Sequence, residues 1–200
     1  MARTLVASDN FNRAALGTDW TNVGSSPIVI ESSVTYRASH FSLYGIARWV
    51  GAGSFTTDNY SLAKIQTMTN EGAGHGAGVA VRISADVDPN FDCYYSLIDS
   101  DAVSGGTHTL VLGKLVNGAD TVLTSTTATA TSGDIIEIEC EGTALRLFQN
   151  GAQKLSTTDS ALASGVPGIF SRTNITSYVG DDWEGGNFTG AGPVIAWVRA

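Results

Sequence analysis

From Gly133 to Ala152 the chain reads as two strands and two turns. Apolar and polar residues alternate through Ile136, Glu137, Ile138, Glu139, Cys140 and Glu141, then the chain turns at Gly142. A second run from Ala144 to Phe148 ends on Asn150-Gly151. Period-two alternation gives a strand one buried and one wet face. Asn-Gly readily supplies positive φ at both centres of a tight hairpin turn. This stretch predicts β structure, and the rest of the chain agrees. Further strands are predicted over 35–37, 43–50, 60–68, 77–84, 91–99, 107–115, 121–125, 152–155, 166–171 and 177–183. Asn117-Gly118 and Ser104-Gly105-Gly106 fall between them as turns. No window sustains a helical period; Ser160 to Ser164 allows at most one short turn. Many short strands with regular turns predict an all-β sandwich or barrel.

Two hundred residues suffice for one all-β domain. No linker or break in composition divides residues 1–192. The segment 193–200, with Pro193-Val194-Ile195-Ala196-Trp197-Val198, is an apolar tail expected to pack on the domain or on a neighbouring subunit. Lys and Arg number 11 against 19 Asp and Glu, for a net charge of -8, and no basic stripe offsets this. That balance predicts no nucleic-acid partner. No apolar run is long enough to span a bilayer as a helix, so no membrane partner is expected. No secretory signal is visible at Met1 to Val6. Cys93 and Cys140 are the only cysteines, which favours two buried thiols while leaving a single bridge open.

The pieces in order resemble the concanavalin A-like jelly roll, in its laminin-G-like and glucanase-like branches. Asp9 to Arg13 with Leu16 to Trp20 look like the opening strand of such domains. Gly78 to Ile83 with Cys93 to Ile98 look like their central pair. Leu110 to Lys114, Asn117-Gly118 and Thr121 to Leu123 look like the next hairpin. Gly165 to Ile169 and Val179 to Trp183 look like closing strands that return beside the first. The resemblance implies a two-sheet antiparallel jelly-roll β-sandwich, a fold that hosts lectins, glycosidases, lyases and structural modules. It places Trp20 and Trp183 in the core, where the first and last strands pair. It also implies a calcium ion as an optional cofactor. Asp181 and Asp182, with Glu184, would supply hard oxygen ligands, as would Asp86, Asp88 and Asp92.

Glu137, Glu139 and Glu141 share one strand face, and some glucanases of this fold carry nucleophile and acid on such a strand. The middle residue there is normally Asp, however, and the catalytic strand lies earlier in the chain. A solvated row of like charges is the expectation, with no catalytic residue. The Gly-rich run from Glu71 to Gly78 lacks the Lys-Ser/Thr and helix of a phosphate loop and reads as a turn. For glycan binding, alternation puts Arg82 on the outer face if Val79, Val81 and Ile83 face the core. Arg82, Tyr94 and Ser96 are then the candidate ligand-binding residues.

Three function classes follow. The leading expectation is a non-catalytic structural or adhesion module. It would be a bacteriophage head-decoration or fibre protein on the virion surface, self-associating or binding other virion proteins, with cell-surface glycans as added ligands. The first alternative is a free, extracellular, lectin-like carbohydrate-binding module. The second is a polysaccharide hydrolase or lyase, which predicts turnover lost in Glu139→Gln.

Overall fold

The computed structural model describes residues 2–31, 35–38, 44–68, 75–99, 102–172 and 179–189. The tail 193–200 with Trp197, and Glu71 to Gly74 of the glycine-rich run, lie outside the described residues. Every element is a strand: β1 (Ala2–Asp9), β2 (Trp20–Asn22), β3 (Ile28–Glu31), β4 (Thr35–Ala38), β5 (Tyr44–Trp49), β6 (Asn59–Thr67), β7 (Gly76–Ile83) and β8 (Cys93–Asp99). They continue with β9 (Thr107–Val116), β10 (Ala119–Thr129), β11 (Ile135–Glu141), β12 (Ala144–Gln149), β13 (Ala152–Thr158), β14 (Val166–Arg172) and β15 (Val179–Thr189). No helix occurs among the described residues.

The strands form two antiparallel sheets. Sheet A runs β13-β12-β11-β6-β15-β4-β3, with β1 also pairing β15; sheet B runs β10-β9-β8-β7-β14-β5-β2. This is the jelly-roll sandwich of the concanavalin A-like architecture. Both Asn-Gly turns behave as their chemistry requires: Asn117 and Gly118 have φ of 49° and 71°, Asn150 and Gly151 51° and 75°. Closing strand β15 lies beside β1, pairing Asp9 with Trp183. The predicted opening strand ends at Asp9, the last residue of β1, and Asn10 to Arg13 lie outside the ladder. The Asp9 carboxylate accepts the Phe11 amide at 2.8 Å and the Arg13 guanidinium, so the side chain competes with ladder formation.

The inward faces make one core. Val79 and Val81 of β7, Tyr94 of β8, and Leu110 and Leu112 of β9 pack against Ile136, Ile138 and Cys140 of β11 and Leu145 and Leu147 of β12. Three tryptophans tie the sheets: Trp20 lies 4.7 Å from Trp183 and 5.2 Å from Trp49, centroid to centroid. Sheet B buries its outer face too. Ala80, Cys93, Tyr95, Leu97, Val111, Ile46 and Phe170 form a second cluster, covered in part by Val23 and Phe91 from loops. Tyr95 stacks on Phe170 at 4.5 Å, and Gly113 is required opposite it because a Cβ there would sit 2.4 Å from the ring. Cys140 faces the core and Cys93 the second cluster; both are buried free thiols.

Candidate functional site

The three residues expected to line a sugar groove are all buried, and none opens onto a groove. Tyr94 pairs with Val81 and Ser96 with Val79, and residues directly opposite in an antiparallel pair share a face. Because the valines face the core, Tyr94 and Ser96 face it as well. The Tyr94 hydroxyl donates to Asp159 at 2.7 Å and accepts the Leu162 amide at 3.0 Å. Arg82 is displaced from the outer face by its backbone: its φ is 50°, and the β7–β14 register slips beside it. The bulge turns the side chain into the end of the sandwich, where it is 4% exposed. There the guanidinium donates to the carbonyls of Thr57 (2.9 Å), Leu162 (2.7 Å) and Gly142 (2.7 Å), with Asp58 at 3.5 Å. Arg82 bolts sheet A to sheet B.

Asp181 and Asp182, the residues named for calcium, sit on a bulge of β15 where Asp182 has φ 46°. Lys64 lies 3.1 Å from Asp182 and 3.9 Å from Asp181, so an ammonium already stands between the carboxylates. Burial raises the Asp181 carboxyl above its ordinary range, opposed by the Asp182 backbone amide it accepts and by Lys64, with the Asp182 carboxylate charge adding a smaller rise. Among the described residues no group of three acidic, histidine or cysteine side chains converges to hold a metal. The donor set does not fit a calcium cage.

The glutamate row is not the solvated face its alternation predicts. Glu137 is 4% and Glu139 6% exposed, on the outer face of sheet A. Arg3 of β1 reaches across Tyr60 (5.2 Å from the ring centroid) and bridges both carboxylates. Arg146, opposite Glu139 on β12, binds Glu139 at 2.8 Å and also Glu141. Two guanidinia thus serve three carboxylates. Burial pushes the Glu137 carboxyl up to about 7, with Glu139 adding and Arg3 opposing. A raised carboxyl beside a second one is the raw material of a glycosidase pair. Here both carboxylates are buried and paired with Arg3.

The raised value has a consequence for stability. The folded state holds the Glu137 proton more tightly than the unfolded chain, whose carboxyl titrates near its ordinary value. Stability from this group is therefore greatest at low pH and lost as pH rises towards about 7. Denaturant titrations of wild type and Glu137→Gln should diverge over that window, with the variant showing the flatter pH profile. Parallel profiles would refute the assignment.

Beside this row lies an open cavity of about 530 Å³ on the outer face of the β12–β13 hairpin. Its side chains follow from the register: Arg146 pairs with Ser156 and Ala144 with Thr158, so these share the outer face with Gln153. Phe148, half-buried, pairs with Gln153 next to them. Arg146 is fixed by Glu139 and Glu141, so its remaining donors are presented in a set plane. The sequence placed Ala144 to Gln149 on a strand but ended the next strand at Leu155. Its Ser156-Thr157-Thr158 run, of mixed β propensity, was the signal for the rest.

Neither a protein-family profile nor a curated protein sequence matches the chain. Solved structures do. The carbohydrate-binding module CBM66 from Bacillus subtilis aligns with a TM-score of 0.58 at 18% identity, over 82% of this chain and 92% of that one. A β-glucanase from Bacillus licheniformis gives 0.59 at 11% identity, over 93% and 99%. The carbohydrate recognition domain of Emp47p gives 0.57 at 13% identity, over 92% and 98%. At these identities the likeness establishes the fold.

Proposed function

We propose that this chain is a non-catalytic carbohydrate-binding module, with the β12–β13 cavity as its glycan site. The carrying observation is the cavity itself: a guanidinium held flat by two carboxylates, an amide and two hydroxyls on one sheet face. Planar polar groups fixed in place match the paired hydroxyls of a sugar ring and lose little freedom on binding it. The burial of Glu137 and Glu139 under Arg3 favours binding without hydrolysis. Two of the three structural likenesses, to proteins described as a carbohydrate-binding module and a carbohydrate recognition domain, support the same reading. Nothing in these likenesses favours the virion module that led the expectations from sequence, so the lectin-like alternative takes its place.

The test is calorimetric titration with a panel of neutral oligosaccharides. Gln153→Ala combined with Ser156→Ala removes exposed groups and leaves the Arg146 pairs intact. It should weaken binding by about tenfold or more, at roughly 0.5–1.5 kcal/mol per lost hydrogen bond. Unchanged affinity in the double variant, or release of reducing ends by the wild type, would count against the proposal.

A further inference from the structure

A second cavity, of about 450 Å³, lies on the outer face of sheet B and is lined by Arg48, Ser84, Asp92 and the 161–165 loop. Arg48 is on β5 in phase with Ile46 and Tyr44, so it shares their outward face. Its partner across the ladder is Gly168, where a Cβ would meet the Ala47 carbonyl oxygen at 2.1 Å, so a glycine is needed for the two strands to lie this close beside Arg48. A Cβ at Gly168 would stand 2.7 Å from Ile83, another wall of the cavity.

The charge at Arg48 is what sets this cavity apart. The guanidinia of Arg3, Arg13, Arg82, Arg146 and Arg172 each reach a carboxylate. That of Arg48 reaches none among the described residues, and its buried Nε has no hydrogen-bond partner. Burial alone, with no charged neighbour, draws its pKa down. In a chain of net charge -8, acidic partners are plentiful, yet this half-buried cation faces a cavity instead. A buried donor left unpaired is costly, and a planar guanidinium is built for bidentate capture of an oxyanion.

The second charged group in the lining narrows the ligand. One oxygen of Asp92 accepts the Asn117 amide at 2.6 Å, and its negative charge repels a bare anion. A ligand carrying both a carboxylate and hydroxyl donors satisfies both walls. We propose that the Arg48 cavity is a separate subsite for the carboxylate of an acidic sugar. Arg48 would bind the carboxylate, and Asp92, Ser84 and Ser164 the ring hydroxyls. The identity of the ligand as a sugar rests on the glycan-binding reading above; the site does not depend on the β12–β13 cavity.

The experiment is an amide-resolved NMR titration with oligogalacturonate, neutral galacto-oligosaccharide, sodium acetate and inorganic sulfate. The acidic oligosaccharide should shift the amides of Ser84, Ser164 and Gly165 and bind at least about tenfold more tightly than its neutral counterpart, as one charge-assisted pair requires. Arg48→Ala should abolish that preference and Arg48→Lys keep part of it, with spectra elsewhere unchanged to show that the fold survives. The Gln153→Ala, Ser156→Ala variant should retain the preference, so failure of one site is distinguishable from failure of the other. Equal binding of acidic and neutral sugars, an unaffected Arg48→Ala variant, or acetate or sulfate binding as tightly as the acidic sugar would each overturn the proposal.

Discussion

Arg82→Ala is expected to lower the free energy of unfolding by about 3–5 kcal/mol, the range for breaking a buried charge network by removing one member. Three backbone carbonyls, from Thr57, Leu162 and Gly142, lose their donor at once. Each is left facing a cavity at the end of the sandwich, where desolvation without a partner is costly. Arg82→Lys should recover little, because a single ammonium cannot span the fork that reaches three separate segments. Arg82→Gly relieves the strain of the positive φ at this position and should still lose most of the stability. Guanidinium denaturation, with the slope unchanged and the midpoint shifted, is the measurement. A loss below about 0.5 kcal/mol, the scatter of ordinary surface substitutions, would show that the bolt carries nothing.

Trp183→Ala should cost a comparable 3–5 kcal/mol, as expected for an aromatic side chain removed from a packed interior. Trp183 is fully buried, stacks on Trp49 at 5.3 Å, and donates its indole N–H to Ser61 at 2.8 Å. For a chain of this length that loss lowers the melting temperature by roughly 10 °C. Trp183→Phe keeps the ring contacts and loses the hydrogen bond, so roughly 1 kcal/mol is expected. A phenylalanine variant as unstable as the alanine one would mean that the Ser61 bond, rather than ring packing, carries the stabilisation at this position.

These two residues illustrate how much was readable before folding. Trp183 was placed in the core from its position on the closing strand, and β15 does return beside β1. Arg82 was placed on an outer groove by strict alternation, and alternation fails where a bulge inserts one residue. Nothing local in Val81-Arg82-Ile83 announces a positive φ. The conformation is held by carbonyls from the loop before β6, the turn between β11 and β12, and the 161–165 loop, all distant in sequence. Tyr94 and Ser96 were placed together correctly on one face, but the inward face of β8 depends on its register with β7. A one-residue difference in phase reverses every assignment.

The glutamate row shows the same limit in charge. Alternation correctly sends Glu137, Glu139 and Glu141 to the face opposite Ile136, Ile138 and Cys140. It cannot show that Arg3, more than a hundred residues away, will lie across them and take them out of water. Nor can it show that Arg48 will reach no carboxylate among the described residues.

The sequence by itself determined the Asn-Gly turns and most strands from β4 onward, but not β1 to β3, because alternation and turn chemistry act over two to ten residues; the jelly-roll class came from the resemblance of the ordered pieces to that fold. The alternating hairpin β11–β12 and its Asn-Gly turn stand where the sequence put them. Only the tertiary structure decided which polar side chains are bolts and which face a cavity. That depends on bulges, register and ion pairs between strands far apart in the chain, and no local pattern encodes them.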